Sequence, residues 1–138
     1  MPFNKELLES MGFSDKAIEY ITTNKNYGKI ENADAIGEYT GDCGDTIITY
    51  LKVKNNIIID AKFVYTGCVG SASSGSAVTE IIKNKTLEEA EKISISDVVS
   101  FYKEGDKSIP KVKQHCGEIA INSLKKAINN YKTRNKEL

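Results

Sequence analysis

The sequence has no surplus of charge: 19 lysines and arginines balance 19 aspartates and glutamates, for a formal net charge of zero. No block of like charge reaches the length of a nucleic-acid tail, and the lysines are scattered through predicted helices and loops. No nucleic acid and no anionic membrane are therefore expected as partners. Long hydrophobic runs are also missing. The most compact apolar stretch, Ile57-Ile58-Ile59, is cut short by Asp60, far from the ~20 residues a bilayer span needs. Met1 to Glu6 lacks a basic segment followed by an apolar run, so no secretory signal is expected and the chain reads as soluble and cytoplasmic. There is no internal repeat, low-complexity tract or Pro/Gly/Ser linker, and 138 residues suit one domain. Cysteine is scarce. Three thiols cannot all pair, and in a reducing compartment they are ligands, nucleophiles or small buried hydrophobes rather than a disulfide framework.

What is present reads as alternating punctuation and pattern. Phe3 to Met11 predicts a short amphipathic helix stopped by Gly12. Ser14 caps a second helix with Ala17, Ile18 and Ile21 on one face, running towards Thr22. Asn24 to Gly28 breaks it, and Lys29 to Gly41 reads as irregular. Thr46 to Val53 predicts a strand with Ile47, Leu51 and Val53 inward. Asn55-Asn56 is a tight turn, and Ile57 to Tyr65 returns with Ile59, Ala61, Phe63 and Tyr65 towards the core, Asp60 and Lys62 towards water. The small residues Gly67 to Ser76 lead into a helix ending near Lys83. Thr86 heads another through Glu91, and Ser94 or Ser96 heads a further one through Tyr102. After a loop, Gln114 to Lys132 forms the last helix, with Ala120, Leu124, Ala127, Ile128 and Tyr131 on its apolar stripe. The expectation is an α+β domain: a small antiparallel sheet of about three strands with helices packed mainly on one face.

Each cysteine falls at a structural boundary. Cys43 lies in Gly41-Asp42-Cys43-Gly44-Asp45, just before the first expected strand, and Cys68 in Gly67-Cys68-Val69-Gly70, just after its partner. In a hairpin these two points share one end of the sheet. Cys116 falls in the first turn of the last helix, on the side of its apolar stripe. If that helix starts at the same sheet end, the three thiols converge. Helix N-termini favour anions and lower a thiol's pKa, and the thiolate is the form that binds metal or attacks sulfur. Flanking glycines let backbone amides approach an anionic cluster. Asp45 or His115, the single histidine, could supply a fourth ligand. The plainer readings are a buried hydrophobe for each cysteine, surface decoration for His115, a turn residue in Asp45, and helix capping with close packing for Ser71 to Ser76.

These residues resemble the IscU/NifU N-terminal-type iron–sulfur cluster scaffolds, a SufE/NifU-like fold. The resemblance rests on Cys43-Gly44-Asp45, Asp60-Ala61-Lys62-Phe63 leading to Gly67-Cys68, the stretch to Ser76-Ala77-Val78-Thr79-Glu80, and Lys113-Gln114-His115-Cys116. With Phe13 to Lys16 and Asn26-Tyr27-Gly28 it covers roughly Phe13 to Tyr131. The resemblance implies a scaffold domain over 13–138, preceded by an extension over 1–12. It implies a non-enzymatic scaffold that receives persulfide sulfur from a cysteine desulfurase, with iron, assembles a 2Fe–2S cluster on Cys43, Cys68 and Cys116, and passes it to acceptor apoproteins. Asp45 then corresponds to an aspartate tied to cluster lability, His115 to a candidate extra ligand and Lys113 to a lysine close to the site. Zinc also binds at these positions in the family. His115 and the absence of a long insertion between Cys68 and Cys116 favour the IscU side over the SufU side. A strip read by an Hsp70-type chaperone corresponds to Ile109-Pro110-Lys111-Val112-Lys113, with Lys111 in place of a second proline. Other departures are Thr23-Asn24-Lys25-Asn26, which lacks the family loop's proline and arginine, and Val69 in place of a small residue.

Three rivals remain at the level of sequence. A structural zinc site would use the same donors but lacks the usual Cys-x-x-Cys knuckles. A zinc-binding sulfur acceptor would take persulfide without building a cluster. A Cys–His–Asp hydrolase would need His115 to reach Cys116, which successive helical positions about 100° apart disfavour.

Overall fold

The structure is a computed structural model that describes residues 4–137; Phe3, at the expected start of the first helix, and the chain ends in the expected domain bounds lie outside the described residues. Helix α1 (Lys5–Met11) begins where the Asn4 side chain accepts from the amides of Glu6 and Leu7, and ends at left-handed Gly12. Ser14 caps α2 (Asp15–Thr22), whose Ala17, Ile18 and Ile21 are buried as the pattern requires.

A strand then stands where irregular chain was expected. β1 (Ala35–Thr40) pairs antiparallel with β2 (Thr46–Lys54), which pairs antiparallel with β3 (Ile57–Thr66), in the order β1-β2-β3. Gly37 concealed β1, because glycine mid-strand ordinarily weakens a strand. Here it admits a helix: a Cβ at Gly37 would overlap the backbone nitrogen of Ala127 and the carbonyl oxygen of Ser123. The Ser123 hydroxyl donates to the Gly37 carbonyl at 2.9 Å and also hydrogen-bonds Thr49 at 2.7 Å, so a buried polar triplet fixes helix to sheet.

The hairpin turn at Asn55-Asn56 has both residues at positive φ, 52° and 66°, the geometry that matches strand twist in a two-residue loop. Ile59 is corrected. Lys52 pairs with Asp60 and Val53 with Ile58, so Ile59 is the extra residue of a β-bulge and is 48% exposed, while Ile58 takes the core position. Ala61 and Phe63 face inward as expected.

α3 (Val69–Ile82) begins directly after Cys68, and the Gly/Ser stretch is itself helical. Its small side chains are buried on nearly every side, and Gly75 lies over the Phe63 ring. Burying Phe63 contributes about 1.5–3 kcal/mol, and only a residue without a side chain leaves room for it. Thr86 and Glu89 form a capping box on α4 (Leu87–Glu91), and Ser94, not Ser96, heads α5 (Ile95–Tyr102). Tyr102 is buried and donates its hydroxyl to the Ser73 carbonyl at 2.7 Å, tying α5 to α3. A 3₁₀ turn, Lys111–Lys113, precedes α6 (His115–Glu137). α6 packs on β1 and β2 and α3 on β3, so both long helices cover one face of the sheet. Among the described residues no helix is long and apolar enough to cross a membrane.

Candidate metal centre

The end of the sheet where β2 begins and β3 finishes is fixed by the Thr46–Thr66 pair. Asp45 and Gly67 extend from that pair, and Cys68 follows as the N-terminal boundary of α3. Here the Asp45 carboxylate accepts the Cys68 amide at 3.2 Å and the Ser71 hydroxyl at 3.0 Å, tying the residue before β2 to the start of α3. Burial opposes ionisation of Asp45, but the Cys68 amide, the Ser71 hydroxyl and the Cys68 thiol outweigh it and hold the carboxyl below its ordinary range. A Cβ at Gly67 would collide with this carboxylate.

The start of α6 meets the start of α3 at the same place. Cys116 is fully buried, and its Sγ lies 3.7 Å from that of Cys68. Gly70 makes the approach possible, since a Cβ there would sit 2.7 Å from the Cys116 sulfur. One ligand atom each from Asp45, Cys68 and Cys116 lies within 4.8 Å of the others, the spacing of donors around a shared ion. Burial, followed by the facing Cys68, pushes the Cys116 thiol up to about 12. At Cys116, burial and the neighbouring thiol thus oppose the thiolate form that a helix start was expected to favour.

His115 is exposed, yet its ring reaches the site. Its Nδ1 lies 3.1 Å from the Val112 carbonyl oxygen, which can only accept, so Nδ1 is the donor, and in the neutral ring Nε2 is left with the lone pair. Nε2 lies 3.6 Å from Cys116 Sγ. The expectation that adjacent helical side chains diverge is thus corrected: His115 is the first residue of α6, and the carbonyl turns its ring back. Cys43 stands apart from the donor cluster. It is exposed on the turn before β2 and lines a cavity of about 420 Å³ together with His115, Asp42 and Ile119. Lys113 is half-buried, with its Cβ over Gly70.

The structure thus gathers Asp45, Cys68 and Cys116, places His115 against Cys116, and leaves Cys43 at the rim beside His115. Sequence reasoning missed Ser71 as a partner of Asp45. Its position in the first turn after a cysteine boundary was the available signal, but the surrounding serines made it look like packing.

Comparison with known proteins adds to this geometry. The family model described as NifU-like N terminal domain matches residues 12–138. An iron–sulfur cluster assembly scaffold protein, IscU 1, of Archaeoglobus fulgidus is 40% identical over 124 residues, 89% of this chain and 78% of that protein. The iron–sulfur cluster assembly scaffold protein IscU of Buchnera aphidicola is 37% identical over 131 residues, 91% of this chain and 100% of that one. Among solved structures, the N-terminal part of a nitrogen-fixing NifU-like protein from Brucella abortus aligns with a TM-score of 0.70, covering 92% of this chain and 99% of its own. At 15% identity that is a likeness of fold.

Proposed function

The chain belongs to the NifU-like N-terminal domain family, and from that premise we propose that it is a scaffold on which an iron–sulfur cluster is assembled and then released. The observation that carries this is the meeting of Cys68, Cys116 and Asp45 within 4.8 Å at one end of the sheet. Relatives named as cluster assembly scaffolds support it. On this reading the cargo is a 2Fe–2S cluster built from iron and from persulfide sulfur supplied by a cysteine desulfurase. Cys68 and Cys116 supply two thiolates, Cys43 swings in from the rim as a third, and Asp45 or His115 completes the set.

The physical need of a scaffold is a site tight enough to assemble and loose enough to release. A carboxylate oxygen binds iron less tightly than a fourth thiolate would. Asp45 is also already engaged by the Cys68 amide and Ser71 hydroxyl. It can let go of a metal and fall back on those two partners, which lowers the barrier to release. The Nε2 lone pair of His115 offers the alternative donor and a place for the proton that Cys116 must shed on metal loading. Acceptor apoproteins would take the cluster from the open side, where Cys43 and His115 are exposed. An Hsp70-type chaperone reading Ile109–Lys113 would meet an exposed Lys111 and a Val112 that is 75% exposed, with Ile109 buried beneath them. Residues 1–12 are read as an extension to the scaffold domain.

Anaerobic reconstitution with iron, cysteine and a desulfurase, followed by addition of an apo-ferredoxin, tests the proposal. The expected result is visible absorption that develops on this chain and moves to the acceptor. Zinc fits the same donors, and a zinc-loaded chain that takes up sulfur but never develops that absorption would instead support the sulfur-acceptor reading.

A further inference from the structure

A hydroxyl buried in a helix ordinarily bonds back to a main-chain carbonyl. On α3, Ser73 donates to the Gly70 carbonyl, Thr79 to those of Gly75 and Ser76, and Ser76 to that of Lys25. Ser71 departs from this pattern. Fully buried, it reaches out of its helix to the carboxylate of Asp45, 26 residues away in the chain, at 3.0 Å. The Cys68 amide bonds the same oxygen, Oδ2, at 3.2 Å. Among the described residues none hydrogen-bonds Oδ1. The carboxylate is therefore held by one oxygen and offers the other. Gly67 lies close against it, where a Cβ would stand 2.6 Å from each oxygen.

Resting on the scaffold reading, we infer that Ser71 is a positioning residue that sets how long the site keeps its cluster, by tying down one oxygen of Asp45 and limiting it to a single, weakened metal bond. Ser71 itself touches no metal and acts through Asp45. Three effects run in the same direction. Donation from the hydroxyl draws charge out of the carboxylate, which makes Oδ1 a poorer donor than the oxygen of a free carboxylate. A grip through both oxygens would require Oδ2 to leave two buried donors without an acceptor, which is costly. When the bond from Oδ1 to metal opens, the carboxylate is already held in place and nothing else has to move. Hydrogen bonds from such supporting groups to a metal ligand commonly change affinity or activity by roughly 10–100-fold when removed. Here the removal frees Oδ2 from one of its two partners and strengthens the hold on metal.

The test compares wild type, Ser71→Ala, Asp45→Ala and the double variant, all full-length. Each is reconstituted anaerobically with iron, cysteine and a desulfurase and mixed with an apo-ferredoxin, and transfer is followed by visible absorption. Ser71→Ala removes one oxygen and adds no bulk, so circular dichroism should stay that of the wild type. Transfer should slow about ten-fold. In the Asp45→Ala background the same change should add nothing, because the hydroxyl then has no carboxylate to hold. An unchanged rate in Ser71→Ala, or a slowing that persists undiminished without Asp45, would overturn the inference. Cobalt(II) added to the metal-free chain gives a reading that needs no cluster. Four-coordinate cobalt absorbs strongly in the visible, and a fifth ligand weakens those bands. They should weaken in Ser71→Ala as Oδ2 joins the metal, and identical spectra would overturn the inference. The two readings fail separately: a wild-type chain that builds no cluster removes the scaffold, while the cobalt spectra still decide what Ser71 does to Asp45.

Discussion

The Sγ atoms of Cys68 and Cys116 lie 3.7 Å apart although 48 residues separate them in the chain. Two helix starts bring them together, and Gly70 removes the side chain that would keep them apart. No regular secondary-structure hydrogen bond joins these two sulfurs, so their proximity is held by the packing of α3 and α6 on the sheet.

Asp45→Ala separates release from assembly. The change deletes the acceptor for the Cys68 amide and Ser71 hydroxyl, and the metal-free chain should lose about 1–3 kcal/mol of stability, the usual cost of leaving such groups without an acceptor. The reconstituted variant should nonetheless hold its cluster longer than the wild type, followed by visible absorption as an apo-ferredoxin is added. Release at the wild-type rate would remove Asp45 from the role assigned to it.

Single Cys→Ser changes should abolish a stable cluster at each of the three positions while circular dichroism stays that of the wild type. They should differ in the metal-free protein. Cys43→Ser, on an exposed turn, should change stability by less than about 0.5 kcal/mol. Cys116→Ser puts a hydroxyl in a fully buried place and should cost about 1–3 kcal/mol. Equal denaturant midpoints for the two variants would contradict the burial described.

Gly37→Val tests the strand that the sequence pattern concealed. The added side chain would press on the α6 backbone at Ser123 and Ala127, which has no flexible end to yield. A loss of about 3 kcal/mol or more is expected from urea unfolding, at or above the usual range for overpacking. A neutral substitution would mean α6 does not lie against β1.

The metal-free chain should lose stability in alkali. Cys116 is raised from 9.0 in the free thiol to about 12 in the fold, so the unfolded state gives up its proton first. The stability contributed by the protonated buried thiol is complete below about pH 9 and lost as pH rises through about 12. Asp45 acts at the other extreme: its depressed pKa contributes stability above the ordinary carboxylate range that disappears as pH falls through its folded value. Thermal melts across alkaline pH should fall more steeply in wild type than in Cys116→Ala. Parallel curves would show that Cys116 is not the group responsible. Metal loading, which must displace the same proton, should strengthen with rising pH.

Much of this architecture is legible in the residues themselves. Ser14, Thr86 and Ser94 mark helix starts by their own hydrogen-bonding chemistry, and Asn55-Asn56 marks the hairpin. Features set by distant chain were not legible. Gly37 reads as a strand breaker until α6 is placed upon it. Ile59 alternates correctly by count, but the bulge shifts it outward. The Gly/Ser stretch at the start of α3 lacks the usual apolar stripe because the helix is buried on nearly every side. For the site, the sequence located the boundaries where Cys68 and Cys116 sit, but not the depth of Cys116, which follows from two helix ends packing together. Nor could it show His115 turning back onto Cys116, since a backbone carbonyl three residues away sets that orientation.

Mössbauer spectroscopy of the anaerobically reconstituted wild-type chain tests the central claim most directly. Two iron environments in equal amount are expected, one ligated only by sulfur and one carrying an oxygen or nitrogen ligand. Both should vanish when either Cys68 or Cys116 is replaced by serine. A lone mononuclear iron, or a cluster that survives the loss of either cysteine, would contradict the account.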